Sequence, residues 1–346
     1  MNTHIVKVDK CVDNDESYQQ TVDCLRNGGL VAFPTETVYG LGALATDPDA
    51  TKKVFEAKGR PSDNPLIVHI GTKEEVSLYA DPIPASASEL MDAFWPGPLT
   101  LIFHEKPGVI AKSVTVGKGT VGLRMPDHPV ALRLLRLLGG PLAAPSANRS
   151  GKPSPTKASH VAQDMDGRIP FILDGGATGV GVESTVIDMT STPPAILRPG
   201  GITAEMIEAV IGPVRSETSA AESEAPRAPG MKYKHYSPNA PVWLIEPNGE
   251  TIDNAVKSFS ADSHKVAVIG PDELTTDVPD WYFATGKRAD LSQLASNLYD
   301  ALRACDGTAA DIILAVEAPL EGMGIAVMNR LNKAADGKRY SVDKFQ

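Results

Sequence analysis

The chain has 346 residues, a formal net charge of −10 and a sequence pI near 5.2. This length favours two domains, and the acidic balance argues against non-specific binding to nucleic acid or to a membrane surface. The first residues lack the apolar segment of a secretion signal, and no apolar run is long enough to span a membrane. The cysteines, Cys11, Cys24 and Cys305, form no C-x-x-C pair, which fits a reducing compartment. We therefore expect a soluble, cytoplasmic protein.

The first 212 residues alternate between predicted helices and strands. Helices are predicted over 15–27, 48–58, 72–79, 85–94, 128–138 and 203–211. Strands are predicted over 30–33, 66–70, 99–103, 120–126, 142–144, 171–173 and 195–199, and residues 179–188 are predicted to be a loop that leads into a further strand. The helix at 48–58 has the clearest ends, because Asp47 is a typical N-cap, Pro48 suits the first turn and Gly59 suits the C-cap. The alternation predicts an α/β fold.

The composition changes after residue 212 and changes again near residue 240. Between these points serine, glutamate and alanine dominate without periodicity, which is typical of a solvated linker. Beyond it, strands are predicted over 242–246, 266–269, 281–284 and 312–316, and helices over 251–260, 289–304 and 325–335. This order predicts a smaller parallel α/β domain. The chain thus divides into an N-terminal domain (1–212), a linker (213–239) and a C-terminal domain (240–346).

The richest stretch for a binding site is 28–69. Polar side chains follow its two predicted strands and fill the Pro-bounded loop between them, at Thr35, Thr37, Lys58, Arg60, Asn64 and His69. In open α/β sheets ligands bind at strand ends, so we predict a pocket for a polar, anionic ligand. Four of these residues also have an ordinary explanation. Lys58 suits a helix C-terminus, the threonines suit a strand, and a lone histidine on an apolar strand is often a core residue.

Later strand ends repeat this pattern with Arg124, Ser146, Asn148, Ser184 and Arg198. A buried arginine needs an anionic partner, although an edge strand could point Arg124 to water. If these strand ends converge, they form one composite pocket with several cations. A helix is expected after residues 154–156, capped by Ser154 or Thr156. Its N-terminus could bind an anion or simply be capped.

Residues 232–236, with sequence KYKHY, alternate aromatic and cationic side chains. This pattern suits a lid that closes over a nucleotide, with rings on the base and cations on the phosphates. A domain-docking arm anchored by its tyrosines is the alternative. Walker A, dinucleotide-binding, zinc-protease and serine-hydrolase motifs are missing from the sequence. Any nucleotide chemistry would therefore depend on charge and positioning.

Six ordered motifs, namely PTETVYGLG (34–42), KGRPSDNPL (58–66), WPGPLT (95–100), APSAN (144–148), ESTV (183–186) and LRPG (197–200), closely resemble the YrdC-type threonylcarbamoyl-AMP synthases. The segment APGMKYKHYSP (228–238) and the domain after it resemble the long, two-domain form. The resemblance implies a twisted open sheet with flanking helices and a Rossmann-like C-terminal domain. It also implies synthesis of threonylcarbamoyl-AMP and pyrophosphate from L-threonine, bicarbonate and ATP. The product would feed a downstream transferase complex that makes threonylcarbamoyladenosine in tRNA, and Mg²⁺ is expected with the ATP.

The resemblance also implies roles for individual residues. Threonine would be held by Thr35, Thr37, His69, Arg124, Ala144 and Ser184. ATP would be held by Arg60, Asn64, Thr120, Ser146, Asn148, Ser154, Arg198, Tyr233 and Tyr236. Lys58 and Arg60 would be the catalytic pair, and no protein side chain is predicted to bind a metal.

Two other functions stay open at this point. One is a non-catalytic module that binds double-stranded RNA, for which the net charge predicts weak binding. The other is carbamoyl-group processing as in hydrogenase-maturation relatives, which carry zinc-finger and acylphosphatase domains that this sequence does not show.

Overall fold

The computed structural model describes residues 2–9, 15–216 and 235–341. The chain splits into two compact units. The first comprises Met1–Ser150 and Pro155–Lys232, and the second comprises Gly151–Ser154 and Tyr233–Gln346. A four-residue piece of the N-terminal half therefore belongs with the C-terminal half. Within the described ranges, no helix combines the length and apolarity that crossing a membrane requires.

The first unit is built on one large mixed sheet. Its strands are β1 (His4–Lys7), β2 (Val31–Phe33), β3 (Gly40–Leu44), β4 (Ile67–His69), β5 (Leu99–His104), β6 (Thr120–Arg124), β7 (Leu142–Ala143), β8 (Phe171–Asp174), β9 (Thr185–Asp188), β10 (Ala195–Arg198) and β11 (Arg215–Ser216). Its helices are α1 (Glu16–Arg26), α2 (Pro48–Lys58), α3 (Val76–Tyr79), α4 (Ala85–Phe94), α5 (Lys112–Thr115), α6 (Pro129–Leu138), α7 (Ala158–Met165) and α8 (Ala204–Ile211).

Among the described residues, the order of these strands is β1-β8-β2-β3-β7-β4-β6-β5-β9-β10-β11. β4 and β6 are parallel, so their last residues, His69 and Arg124, lie side by side. β7 runs antiparallel to both β3 and β4, which brings the residues after β7 next to the start of β3. The polar ends of several strands thus reach the same region from different directions.

Helices cover both faces of this sheet because its strands alternate their side chains. On β2, Val31 and Phe33 pack with α1 and α6, whereas Ala32 between them belongs to the core beneath α2, α4, α7 and α8. α2 begins and ends as predicted: the Asp47 carboxylate accepts from the amides of Asp49 and Ala50, and Gly59 has a φ of 63°. The start of the loop 59–66 is therefore well defined.

The second unit is a smaller parallel α/β fold. Its strands are β12 (Val242–Ile245), β13 (Val266–Gly270), β14 (Trp281–Ala284) and β15 (Ile312–Val316), and its helices are α9 (Gly249–Ala261), α10 (Leu291–Asp306) and α11 (Met323–Ala335). A short 3-10 turn covers Asp272–Leu274. The strand order in the described part is β12-β15-β13-β14, and all three pairings are parallel. The prediction of a parallel α/β fold here is confirmed.

Three local predictions were wrong. Residues 40–44, for which no strand was predicted, form β3, and the helix expected over 72–79 is limited to Val76–Tyr79. Neither Ser154 nor Thr156 caps α7. The N-cap is Lys157, which makes no side-chain capping bond, and Ser154 belongs to the second unit. The expected anion site at this helix N-terminus is therefore not built as the sequence suggested.

Candidate active site

The residues after β2 form a buried hydrogen-bonded cluster. The hydroxyls of Thr35 and Thr37 lie 2.8 Å apart, and Thr35 Oγ1 also donates to the Val38 carbonyl at 2.7 Å. Arg124 Nη2 donates to Thr37 Oγ1 at 2.9 Å and lies 2.7 Å from Glu36 Oε1. Arg124 thus points into this cluster from the end of β6, and the alternative of an arginine turned to water is wrong.

His69 is the neighbour of Arg124 across the β4–β6 pairing. It is buried, and its ring meets the Phe33 ring edge-on with 6.0 Å between centroids. Burial lowers the pKa of His69 to about 3, and the Arg124 charge adds to that shift. The imidazole is therefore neutral at physiological pH, so it can offer a hydrogen bond but not a second positive charge.

A second cluster joins Arg198 to Ser184. Arg198 donates through Nε and Nη2 to the Ser184 carbonyl at 3.1 and 3.0 Å, and Nη2 also lies 3.2 Å from Ser184 Oγ. The Ser184 hydroxyl lies 2.8 Å from Thr100 Oγ1 on β5. All three residues are buried, so this guanidinium is held in a fixed orientation by uncharged oxygens.

The loop before Ser184 ties the two clusters together. The amides of Gly179 and Val180 donate to the Glu36 carbonyl at 3.1 and 2.7 Å, and the amide of Gly181 donates to the Thr37 carbonyl at 3.1 Å. On the other side, Gly200 packs against the backbone of residues 183–185. An added Cβ there would lie 2.3 Å from the Thr185 nitrogen, which explains a glycine after the arginine of β10.

Lys58 forms the third cluster, at the end of α2. Its Nζ donates to the carbonyls of Ser146 and Asn148 at 2.5 and 2.6 Å, and its own carbonyl accepts from the Ser150 amide at 2.9 Å. Ser146 Oγ donates to Asn148 Oδ1 at 2.5 Å. Buried Lys58 therefore holds the loop that carries two of the residues predicted to bind ATP.

This loop also meets the strand that follows the threonine cluster. Gly40 of β3 bridges to Ser146, and the amide of Ala147 donates to the Tyr39 carbonyl at 2.8 Å. The three clusters are thus joined through short backbone links inside the first unit. The sequence prediction that separate strand ends gather into one cationic region is supported by these contacts.

The remaining predicted residues are placed as follows. Ala144 donates its amide to the Ile67 carbonyl and lies beside Gly40, Asn64 is fully buried, and Arg60 is half-buried with its amide bonded to the Phe55 carbonyl. Thr120 starts β6, at the opposite end from Arg124. Ser154 and Tyr236 belong to the second unit, and Tyr233 lies outside the described residues.

Two residues of the site were not predicted as ligand-binding or catalytic. Glu36 supplies the carboxylate that pairs with Arg124, and its position between two threonines was a usable sign because a buried arginine needs an acidic partner. Thr100 supports Ser184, but nothing in a strand threonine distinguishes it beforehand. Glu36 and Thr100 thus contact Arg124 and Ser184, two residues that the sequence analysis did assign to the site.

These clusters define the class of the protein. It is an α/β protein whose strand ends hold two buried guanidinium groups and a buried lysine among hydroxyl and backbone groups, which suits a polar ligand that carries carboxylate or phosphate groups. Across the described residues, no group of three or more His, Cys, Asp or Glu side chains could hold a metal ion.

Comparison with known proteins identifies the family. The chain belongs to the Sua5/YciO/YrdC family, whose model, described as telomere recombination, matches residues 23–200. A second model, described as the C-terminal domain of threonylcarbamoyl-AMP synthase, matches residues 202–336. The predicted resemblance to the long, two-domain form is therefore confirmed.

Several relatives cover nearly the whole chain. A threonylcarbamoyl-AMP synthase of Bacillus subtilis is 51% identical over 95% of this chain and 96% of its own length. One of Pyrococcus abyssi is 49% identical over 90% of this chain and 92% of its own. The crystal structure of P. abyssi Sua5 complexed with L-threonine superposes with a TM-score of 0.93, covering 98% of this chain and 99% of the other at 46% identity. The predicted two-domain α/β fold is thereby confirmed.

Proposed function

We propose that this protein is an L-threonylcarbamoyladenylate synthase. The observation that carries the proposal is the similarity, at 49–51% identity over at least nine-tenths of the chain, to proteins named threonylcarbamoyl-AMP synthase. The geometry supports it, because buried cations and hydroxyls lie together at the strand ends, where they can bind the carboxylate of an amino acid and the phosphates of a nucleotide. None of these relatives' names favours the alternative of a double-stranded-RNA-binding module.

The reaction joins three substrates in two balanced steps. The threonine amine and bicarbonate condense to a carbamate with loss of water. A carbamate oxygen then attacks the α-phosphorus of ATP, and the bond to the bridging oxygen breaks to release pyrophosphate. Such a transfer depends on alignment and on neutralised phosphate charge more than on covalent catalysis.

The threonine would occupy the cluster formed by residues 35–37 and Arg124. The Arg124 guanidinium can receive the carboxylate, because Arg–carboxylate pairing is strong in a buried setting. The Thr35 and Thr37 hydroxyls are placed to bond the ligand's polar groups, and neutral His69 can accept or donate one hydrogen bond. Ala144 and Ser184 would complete this side of the site.

The triphosphate would lie against the Lys58 loop and Arg198. Lys58 keeps the carbonyls of Ser146 and Asn148 in place, so its contribution would include positioning as well as charge. The other residues that the proposal assigns to ATP binding are Arg60, Asn64, Thr120, Ser154 and the segment around Tyr233 and Tyr236.

Several finer points belong to the same proposal. We expect Mg²⁺ to arrive with ATP, held by phosphate oxygens and water, which are its usual ligands. It would neutralise charge on the leaving pyrophosphate. We also propose that the enzyme works in the cytoplasm and that a threonylcarbamoyl transferase complex acting on tRNA consumes its labile product.

The test is pyrophosphate release measured with each substrate omitted in turn. Release should require threonine, bicarbonate and ATP together, and mass spectrometry should detect threonylcarbamoyl-AMP. Serine in place of threonine gives a specificity control. ATP turnover that does not depend on threonine would overturn the proposal. Tight binding of double-stranded RNA at physiological salt would favour the alternative instead.

A further inference from the structure

Strand β14 is an apolar edge of the four-stranded sheet in the second unit. In the described part of the chain it pairs with β13 alone. Its sequence, WYFA, has no charge and no proline, and its three aromatic side chains are each half-buried. Val278, shortly before the strand, is 38% exposed. An apolar edge of this kind is a template for pairing with another strand, which proteins usually prevent with charges, prolines or a covering segment.

The other sheet edges in the described ranges are protected. Along β12, the Leu244 amide donates to the Lys338 carbonyl at 3.0 Å, and the Tyr340 amide donates to the Leu244 carbonyl at 2.9 Å. The chain after α11 therefore covers that edge. In the first unit, β1 carries the charge of Lys7, and β11 has only two residues. Within the described residues, β14 has no such protection.

Part of the backbone of β14 points away from β13. The Thr285 amide, directly after the strand, donates to the Gly270 carbonyl of β13 at 2.9 Å. Backbone groups alternate in direction along a strand, so the amide and carbonyl of Phe283 also face β13. The amides and carbonyls of Tyr282 and Ala284 then face the open edge, where they are placed to bond a further strand.

The side chains on the two faces of β14 are held differently. Tyr282 packs against the core that includes α9, and its hydroxyl donates to the Pro271 carbonyl at 2.8 Å. Trp281 and Phe283 lie on the other face, because side chains alternate along a strand. Their rings stay partly exposed because the sheet ends at β14. A strand added at this edge would cover both rings.

The residues that flank β14 carry opposite charges at its two ends. Asp277 and Asp280 precede the strand, Lys287 and Arg288 follow it, and all four are exposed. An antiparallel strand of the same sequence would place its basic end beside this acidic start, and its acidic start beside this basic end. A parallel copy would instead bring like charges together, which is unfavourable. The charge pattern thus favours a second copy of the same strand in the antiparallel orientation.

We propose that two copies of this protein associate through β14, paired antiparallel about a two-fold axis at Phe283. In this register the outward groups of Tyr282 bond those of Ala284 in the second copy. The two Phe283 side chains face each other at a position without backbone bonds, where side chains come closest. Trp281 lies diagonally across from Phe283 of the second copy, so the aromatic rings form one cluster. The contact uses the same surface on both copies, so it closes as a dimer.

The test is analytical ultracentrifugation of the full-length protein at physiological salt over a wide range of concentration. The mean mass should rise with concentration from 36.6 kDa towards twice that value. Phe283→Lys places two like charges opposite each other, so it should weaken the association at least about tenfold. Ile5→Lys is the matched control, because it adds the same charge to a half-exposed apolar residue of another edge strand, β1. It should leave the association unchanged.

Charge reversal tests the antiparallel orientation. Asp277→Lys and Lys287→Asp should each weaken self-association, because each variant places like charges together at both ends of the paired strands. An equimolar mixture of the two variants restores opposite charges at both ends. The mixture should therefore recover most of the association of the parent protein, a result that a parallel arrangement does not give.

Several results would overturn the inference. One is a parent protein that stays at 36.6 kDa at its highest soluble concentration. Another is an association that Ile5→Lys abolishes or that Phe283→Lys leaves intact, because the interface would then lie elsewhere. A mixture that associates no better than its two components would contradict the antiparallel pairing. If Phe283→Lys does not fold, the exposed positions Asp277 and Lys287 provide the same comparison. These measurements need no substrate, so they are independent of the proposed function.

Discussion

Two buried cations hold neighbouring parts of the same loop, and they do so differently. Lys58, in the first unit, donates to two carbonyls two residues apart, those of Ser146 and Asn148. Arg303, in the second unit, donates to the carbonyl of Pro153. Lys58 therefore stabilises the conformation of residues 146–148, whereas Arg303 holds the backbone at Pro153.

This difference shows why one cation was predictable and the other was not. Lys58 is the last residue of α2, directly before Gly59, Arg60 and a Pro-bounded loop, where a cluster of unusual residues indicates a site. Arg303 lies in the last turn of an amphipathic helix, where a basic residue is expected on dipole grounds alone. Its partner, the Pro153 carbonyl, is 150 residues away in sequence, so no local pattern encodes this contact.

The largest effect is expected from Lys58→Met. Two hydrogen bonds from a charged donor are lost, each worth about 1.5–3 kcal/mol, so kcat/KM should fall about 10²- to 10⁴-fold. Steady-state pyrophosphate release would measure this. Lys53→Met on the same helix is the control, because its Nζ donates to the Gly28 carbonyl away from the loop. An equal loss of kcat/KM in the two variants would mean that the effect is not specific to Lys58.

Arg124→Met should act chiefly on stability and on threonine binding. This cation is paired with a carboxylate rather than with carbonyls, and its removal leaves Glu36 nearly buried without compensation. The free energy of unfolding should fall by about 3–5 kcal/mol, measured by urea denaturation. The double variant Arg124→Met with Glu36→Gln should regain most of that stability but not threonine affinity. A single variant as stable as the parent would contradict the importance of this pair.

His69 should produce the smallest effect, visible only as a slope with pH. Its folded pKa of about 3 lies below the ordinary value of 6.5, so between these values the unfolded chain binds the extra proton. Stability should therefore fall as pH drops from 6.5 towards 3, by at most about 1.4 kcal/mol per pH unit from this group. His69→Gln should show a shallower slope in urea titrations from pH 8 to pH 4. An imidazole signal titrating near 6.5 in the folded protein would refute the assignment.

Much of the fold was predictable from local chemistry. Asp47 and Gly59 bounded α2 correctly, and the parallel strands of the second unit followed from short apolar runs. β3 was missed because Gly40 and Gly42 are poor strand residues. The structure explains Gly42, since a Cβ there would lie 2.9 Å from the Phe33 ring. That contact joins two neighbouring strands, β2 and β3, so it cannot be inferred from the residues next to Gly42 in sequence.

The candidate site was predictable to a similar degree. Polar residues after strands identified Thr35, Thr37, Arg124, Ser184 and Arg198, because such positions rarely serve packing. Partners such as Thr100 could not be found this way, since they differ from ordinary strand residues only in what lies opposite them. Ser154 was misread as a helix cap because it belongs to a unit that is encoded almost entirely after residue 232.

Arg303 and Asp306 of α10 contact Pro153 and Lys152, and these contacts have a consequence for how the protein is made. Residues 151–154 leave the ribosome long before α10, yet α10 supplies the donors and acceptors that hold them. The loop after β7 can therefore complete these contacts only when most of the polypeptide has been synthesised, although domains generally fold as they emerge. The described strands of the first unit's sheet end at Ser216, so that sheet can form before α10 has been synthesised.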